Sequence, residues 1–267
     1  MKAAVFDYVA PSSLDEALKA VASSEGAKLI AGGQSLGPML NLRLARPRLL
    51  VDISRIEALQ QIESRRDGLR IGAATTHARL EDEANGMLQA VAGGIAYRSV
   101  RNRGTIGGSM AHADPAADWP LALATLGATI HVRSVDNSRR IPAAEFMVGA
   151  FTTVLNDDEI IELIEVPRPS DEARWGYFKF CRKTGEFPEA SAAVYLDPAR
   201  RTANVFLGAL NGAPRRCDDI AERLAKRQLI APETAERAVA NVSNHDPIAV
   251  HMHASVLMRA VAEATVS

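Results

Sequence analysis

Leu14, Ala17, Leu18 and Val21 recur at three- and four-residue spacing, the pattern of a helix with one buried face. Pro11-Ser12-Ser13 precedes them, with Ser13 as the cap and Glu16 at the place a capping box requires. Lys28 to Ala31 reads as a short strand ending at Gly32-Gly33. A helix is expected from near Ser35 to just before Pro47, and Arg48 to Ile53 is the next strand. The opening block is therefore β-α-β-α-β in character. Leu69 to Ala74 is a further strand, after which Thr75 or Thr76 caps a helix through Leu80. Leu88, Val91, Ala92, Ile95 and Ala96 mark a longer helix that leads into a Gly-rich loop from Arg103 to Pro115. A helix around Trp119 to Leu126, a strand at Ala128 to Arg133 and a turn at Asp136-Asn137 follow.

Past Asn156-Asp157-Asp158 the pattern changes. Ile160 to Val166, Gly176 to Arg182, Ala190 to Leu196 and Ala203 to Leu210 read as consecutive strands, which favours an antiparallel sheet. The remainder is helical, with Pro232 opening one helix and Asp246-Pro247 capping another. A boundary is placed near Pro167 to Ala173, and no internal repeat or low-complexity tract is visible.

Composition narrows the classes. With 267 residues, 47% of them apolar, the chain buries a full core, and with few aromatics that core is built from Ala, Val, Leu and Ile. A formal charge of −1 gives no global field toward nucleic acid or an anionic membrane. No secretory signal or bilayer-length apolar run is apparent, so a cytoplasmic protein is expected. The two cysteines, Cys181 and Cys217, are too few for a disulfide framework, a zinc site or an iron–sulfur cluster.

Two segments carry chemistry. Ala31-Gly32-Gly33-Gln34-Ser35 joins a strand to a helix, where glycines allow positive φ and successive N–H groups can face an anion. Its spacing is neither G-x-G-x-x-G nor a P-loop. Arg103-Gly104-Thr105-Ile106-Gly107-Gly108-Ser109, running to Asp114-Pro115-Ala116-Ala117-Asp118, offers a second Gly-Gly step, two hydroxyls and a carboxylate suited to ribose hydroxyls. Alone, a Gly-Gly after a strand is more often a tight turn than a ligand loop. Two such segments, each next to a helix start, point to a long ligand with a diphosphate in its middle. Arg101 and Arg103 are candidates for neutralising that phosphate or for a solvated surface. His77 suits a local hydrogen bond better than a catalytic role, His112 and Asp114 lack further ligands for a metal, and Trp119 and Tyr177 read as core.

These residues also carry a family resemblance. Ala31 to Leu36, then Pro38-Met39-Leu40, Leu42-Arg43-Leu44 and Leu50-Val51-Asp52-Ile53, resemble the FAD-binding medium subunits of bacterial molybdenum hydroxylases, the carbon monoxide dehydrogenase and xanthine dehydrogenase family. Thr105-Ile106-Gly107-Gly108 with Asp114-Pro115-x-x-Asp118 is similar to the family's second FAD loop. Tyr177-Phe178-Lys179 with Arg182-Lys183-Thr184-Gly185 and Phe187 is similar to its C-terminal signature. The resemblance implies an α+β fold: a two-part FAD-binding domain of the vanillyl-alcohol-oxidase type, then a three-stranded antiparallel sheet with a helical bundle. The expected parts are 1–56, 57–170 and 171–267. It implies that Ala31, Gly32, Gly33, Gln34, Ser35, Thr105, Gly107, Gly108 and Ser109 hold the FAD diphosphate. Asp118 would bond the adenosine part, with Ile161 and Lys179 near the cofactor. It also implies partners: a large molybdopterin subunit that oxidises the organic substrate and a small subunit with two [2Fe–2S] clusters, arranged as a dimer of heterotrimers. Gln34 stands where many relatives have His, Ser109 where Asn is usual, and Pro188 where Ala is common. Gln34 cannot titrate, yet neither of the first two changes removes a backbone cradle.

Two rivals remain open on the residues. A self-contained flavin oxidase or dehydrogenase would need a catalytic base over the flavin and would be reduced by substrate without other subunits. A non-catalytic nucleotide-binding or assembly protein would carry no flavin even after reconstitution.

Overall fold

The computed structural model describes residues 2–243 and 246–266; Met1 and Ser267, the ends of the expected first and third parts, lie outside them. Strand β1 (Asp7–Val9), helix α1 (Leu14–Ala22), strand β2 (Lys28–Ile30), helix α2 (Leu36–Asn41) and strand β3 (Leu49–Asp52) form the first layer. Its three strands are parallel in the order β1-β3-β2. Ser13 Oγ accepts from the Glu16 amide, while the Glu16 carboxylate reaches past Ser13 to Ser12, at 2.8 Å to its amide and 2.9 Å to its hydroxyl. Helix α2 stops at Asn41, short of Pro47, because Arg43 turns into the left-handed region with φ 59° and Leu44 N–H caps the Met39 carbonyl at 2.9 Å.

The second layer holds β4 (Ile62–Ser64), β5 (Gly68–Gly72), α3 (His77–Glu83), α4 (Gly86–Gly94), α5 (Arg98–Arg101), α6 (Ile106–His112), α7 (Asp118–Thr125), β6 (Thr129–Arg133), β7 (Ser138–Pro142), α8 (Ala143–Phe146), the hairpin β8 (Met147–Gly149) and β9 (Thr152–Thr153), and β10 (Ile160–Pro167). Five of its strands make one sheet in the order β4-β5-β10-β6-β7. The long central β10 pairs antiparallel with both β5 and β6, so it closes this layer instead of opening the C-terminal sheet. Its ladder with β6 is broken by a bulge between Ile161 and Leu163. The stretch expected as a Gly-rich loop from Arg103 to Pro115 contains helix α6. Gly107 belongs to that helix for a packing reason: a Cβ there would lie 2.5 Å from the Ala73 Cβ and 2.7 Å from its carbonyl oxygen.

The third layer consists of β11 (Arg174–Phe180), β12 (Ala190–Asp197), β13 (Thr202–Gly208), β14 (Arg215–Arg216), α9 (Asp218–Ala225), α10 (Pro232–Val242) and α11 (Pro247–Val266). The implied three strands are present and antiparallel, and a fourth, two-residue strand β14 pairs with β13 at the edge. Asp246 Oδ1 accepts from the amides of Ile248 and Ala249 and so caps α11, as Asp246-Pro247 implies.

Three apolar clusters follow these layers. One lies between α1 and the parallel sheet and is closed by Leu59, Ala74 and Ile160. A second surrounds Trp119 and is built mainly from α4, α6, α7 and one face of the five-stranded sheet. The third sits between the last sheet and helices α9 to α11. Strand β12 serves two of them: Ala193 faces the Trp119 cluster, while Ala192 and Val194 face the helical bundle. Burial on both faces explains why its sequence is a continuous apolar run rather than an alternating one.

Candidate functional site

The two glycine segments meet. A Cβ on Gly32 would fall 1.9 Å from the Arg103 carbonyl oxygen and 2.8 Å from Gly104 Cα, so Gly32 is in close backbone contact with the start of the second segment. Only a residue without a side chain fits there. Beside this contact opens a cavity of about 270 Å³, lined by Ala31 and Gly32 on one wall and by Asn102, Arg103 and Thr105 on another. Asp52, Ser54 and Arg55, at the carboxyl end of β3, and Thr75 and Thr76, before α3, complete much of it. Open α/β sheets characteristically bind ligands beyond the carboxyl ends of their strands. Ligand pockets span roughly 300–1,000 Å³, so this space suits part of a large ligand.

The first segment is a cradle of free donors. Gly33 takes φ +70°, and its carbonyl accepts from Gly37 at 2.9 Å. The amides of Gly32, Gly33, Gln34 and Ser35 have no protein acceptor among the described residues. Gln34 folds its side chain back, its Nε2 donating to the Gly32 carbonyl at 3.2 Å. The second segment is built differently. Ile106 N–H donates to Thr75 O (3.1 Å), Gly107 N–H to Ala73 O (2.9 Å), Gly108 N–H to Thr105 Oγ1 (3.1 Å) and Ser109 N–H to Thr105 O (3.0 Å). The glycine pair there locks α6 against the end of β5. What it leaves available is the Thr105 amide, the Ser109 hydroxyl and the Arg103 guanidinium, none of which has a protein partner among the described residues. Arg101, the other candidate cation, is committed elsewhere: it forks onto Glu81 at 2.8 and 3.1 Å and also holds the carbonyls of Ile95 and Ala96.

The residues present fit an anionic nucleotide. Gly32, the unpaired Arg103 and the fully buried Thr75, whose hydroxyl lacks a hydrogen-bond partner among the described residues, line the cavity, and three further free amides follow Gly32 along the chain. Such a set matches phosphate and ribose oxygens and would be costly to leave unmatched.

Behind the second segment, His77 anchors the wall. Its amide holds the Gly104 carbonyl at 2.9 Å, and its Nδ1 accepts from the Trp119 indole N–H at 3.1 Å. Burial, followed by the nearby Arg101 charge, lowers its pKa to about 4. The ring is therefore neutral at pH 7 and tied to a structural partner rather than available as a base. Since the folded pKa lies below the unfolded value near 6.5, His77 contributes stability above about pH 6.5. That contribution is lost as pH falls toward 4, because only the unfolded chain takes up the proton easily. We expect about 3 kcal/mol of pH-dependent stability over that interval, at 1.36 kcal/mol per unit. Urea unfolding from pH 7 to pH 4 should show it, and His77→Gln should flatten that part of the profile.

The remaining predicted residues fall into a second group. Lys179, on β11, reaches Asp118 at 2.7 Å and the Gly94 carbonyl at 2.9 Å, across the seam between the second and third layers. Tyr177 OH donates a short hydrogen bond to the same Asp118 oxygen. Burial, and then the Asp118 carboxylate, push the Tyr177 phenol well above its usual range, so it stays a donor. Asp118 is the residue before Trp119, which places this group one step along α7 from the His77 anchor. Ile161 is buried at the β10 bulge; the neighbouring Glu162 carbonyl accepts from Ala73 N–H, and the Ala73 carbonyl in turn holds Gly107. Bulges often sit beside functional sites, where they re-aim a chain.

Sequence reasoning missed Tyr177, which it read as core: the ring is core-packed, but its hydroxyl finds a carboxylate 59 residues away. It also missed Asp52, Arg55 and Thr75 as lining residues. Their position at strand ends beside Gly32 was the available signal. Elsewhere His112 contacts the Phe151 ring, Asp114 holds the Ala116 amide at 2.8 Å, and Cys181 and Cys217 are free thiols. Among the described residues no helix is long and apolar enough to cross a membrane.

The chain has relatives among known proteins. Residues 4–169 match the family described as the FAD binding domain in molybdopterin dehydrogenase. The nicotine 6-hydroxylase medium subunit of Paenarthrobacter nicotinovorans is 36% identical over 247 residues, 89% of this chain and 86% of that one. The carbon monoxide dehydrogenase medium chain of Hydrogenophaga pseudoflava is 36% identical over 221 residues, 78% of this chain and 75% of that one. Among solved structures, quinoline 2-oxidoreductase from Pseudomonas putida 86 superposes with a TM-score of 0.90 at 31% identity, covering 99% of this chain and 98% of that one. The chain belongs to the FAD-binding medium subunits of the molybdenum hydroxylases, the family of the carbon monoxide, xanthine and nicotine dehydrogenases. Its class is that of a flavin-binding electron-transfer subunit of an oxidoreductase.

Proposed function

We propose that this subunit receives electrons from the [2Fe–2S] clusters of a small partner subunit and delivers them to an external acceptor, while a large molybdopterin subunit oxidises the organic substrate. Bound FAD supplies the exchange of electrons singly and in pairs, which no side chain of the protein can do. The observation that carries this reading is the contact of Gly32 with Arg103 and Gly104, which brings the start of the first segment to Arg103 and Thr105 at one cavity, with the free amides of Gly33 to Ser35 following Gly32 along the chain. Those amides and Arg103 hold the diphosphate, with Thr105 and Ser109 adding hydroxyl contacts. Gly107 and Gly108 act by keeping α6 close to β5, so that Thr105 faces the ligand. Asp118 and Lys179 bind the outer part of the nucleotide, and Ile161 lines it with main chain and apolar surface. In this reading the parts 1–56 and 57–170 share the cofactor, 171–267 is a C-terminal sheet and helix part, and the assembly is a dimer of heterotrimers.

The purified subunit is expected to be yellow, to release its flavin on acid precipitation and to leave the organic substrate untouched. Absorbance near the oxidised flavin bands, before and after reconstitution with FAD, makes the first check. Flavin reduction by substrate in the isolated subunit would favour a self-contained dehydrogenase, and failure to take up any flavin would favour a non-catalytic nucleotide-binding protein.

A further inference from the structure

The turn that ends α2 presents a surface that nothing in the cofactor site uses. Leu42 and Leu44 are exposed at 53% and 72%, and Val5 is almost fully exposed. Single exposed apolar residues are ordinary. These three, however, lie on one contiguous surface: the Arg43 Nε donates to the Lys2 carbonyl at 3.2 Å, and the Asp7 amide donates to the Arg48 carbonyl at 2.8 Å, so residues 2–7 run alongside residues 43–48. Lys2, Arg43, Arg46 and Arg48 lie on the same two segments as the apolar residues, and none of them forms an ion pair among the described residues. Asp7 is the only acid in segments 2–9 and 41–48, which leaves the surface with three net positive charges on a chain whose formal charge is −1.

The shape is fixed. Arg46 Nε donates to the Arg43 carbonyl at 3.2 Å, Leu44 N–H to the Met39 carbonyl at 2.9 Å, and Arg43 holds its left-handed conformation in between. Side chains held in this way lose little further freedom when a partner docks. Exposed apolar residues interspersed with cations that form no ion pair are complementary to an acidic protein surface that also carries apolar residues. The surface is also one short helix, α2, from the free amides of Gly33 to Ser35; six residues of helix span about 9 Å.

We infer that residues 2–5 and 42–48 form the docking surface for an acidic face of the partner subunit that supplies electrons. The inference rests on the reading of this chain as one subunit of a complex. Its test is native mass measurement of the complex purified from its own host through an affinity tag on this chain, comparing wild type with Leu44→Asp and Arg46→Glu. The partner is expected to dissociate at about tenfold lower dilution in either variant, a loss in the range of an interface residue that matters, and the loss for Arg46→Glu should shrink as salt rises. Bound flavin and unfolding temperature should stay at wild-type values, and Leu229→Asp, 98% exposed in the third layer, should leave assembly intact. Variants that keep their partner as tightly as wild type, within a complex that does assemble, overturn this inference alone. A wild-type chain that purifies by itself overturns the complex as well. Salt-sensitive binding of wild type, but not of the variants, to phosphatidylglycerol vesicles would reassign the surface to lipid and overturn the inference.

Discussion

Gly32→Ala is expected to strip the protein of flavin while leaving it folded. The new methyl would stand 1.9 Å from the Arg103 carbonyl oxygen and 2.5 Å from its carbon, and both atoms are main chain that cannot swing away. The two glycine segments must therefore separate. Overpacking of this kind costs about 1–3 kcal/mol of stability. Affinity should fall further, since the amides of the first segment and the Thr105 and Arg103 donors would no longer converge on one anion. Each lost charge-assisted hydrogen bond is worth about 1.5–3 kcal/mol, so a weakening of about a hundredfold in FAD binding is the expected scale. Gly37→Ala is the control: its Cβ would meet nothing within 4 Å, it lies within α2, and it should bind FAD as wild type does while gaining about 0.5–1 kcal/mol in stability. Fluorescence titration with FAD and urea unfolding of the flavin-free protein measure the two effects separately. Equal FAD affinity in the Gly32 and Gly37 variants would show that convergence of the segments is irrelevant to binding.

The second large effect is expected at Lys179. Its ammonium and the Asp118 carboxylate are both largely buried, and Lys179→Met leaves that carboxylate with the Tyr177 hydroxyl as its remaining side-chain donor. Removing one member of a buried pair costs about 3–5 kcal/mol, because the other charge stays desolvated. Tyr177 should hold the loss to about 3 kcal/mol at the low end of that range. The double change Asp118→Asn with Lys179→Met removes the orphaned charge and should recover most of the stability. Lys179→Met and Asp118→Asn, each alone, should also bind FAD more weakly, since these two groups face the outer part of the nucleotide in the proposed site. Unfolding is best compared without flavin, because ligand binding adds stability of its own. If the double variant is no more stable than Lys179→Met, the pair is not coupled as described.

How much of this was legible depends on the range of the interactions involved. Local signals read well. Ser13, Leu14, Ala17, Leu18 and Val21 place α1 correctly because a cap and a helical stripe are decided within a few residues. The Thr76 cap, the strands of the C-terminal sheet and the Asp246-Pro247 start succeeded for the same reason. Glycine misled where its reason was distant. Gly107-Gly108 looks like a loop, yet α6 forms there because Gly107 must pass Ala73, 34 residues earlier in the chain. Likewise β10 reads as the first of a run of consecutive strands, although it pairs with β5 and β6 of the second layer and not with β11. The two glycine segments could be named from sequence, and so could the family. That Gly32 touches Arg103, and that the first segment keeps four successive amides free while the second keeps only that of Thr105 near its glycine pair, required the fold.

Amide hydrogen exchange of the flavin-free subunit, repeated with FAD and with riboflavin, tests the central claim most directly, because riboflavin lacks the diphosphate. The amides of Gly32 to Ser35 and of Thr105 should exchange quickly in the free protein, slow markedly with FAD, and respond little to riboflavin. FAD bound with those five amides still exchanging freely would contradict the account.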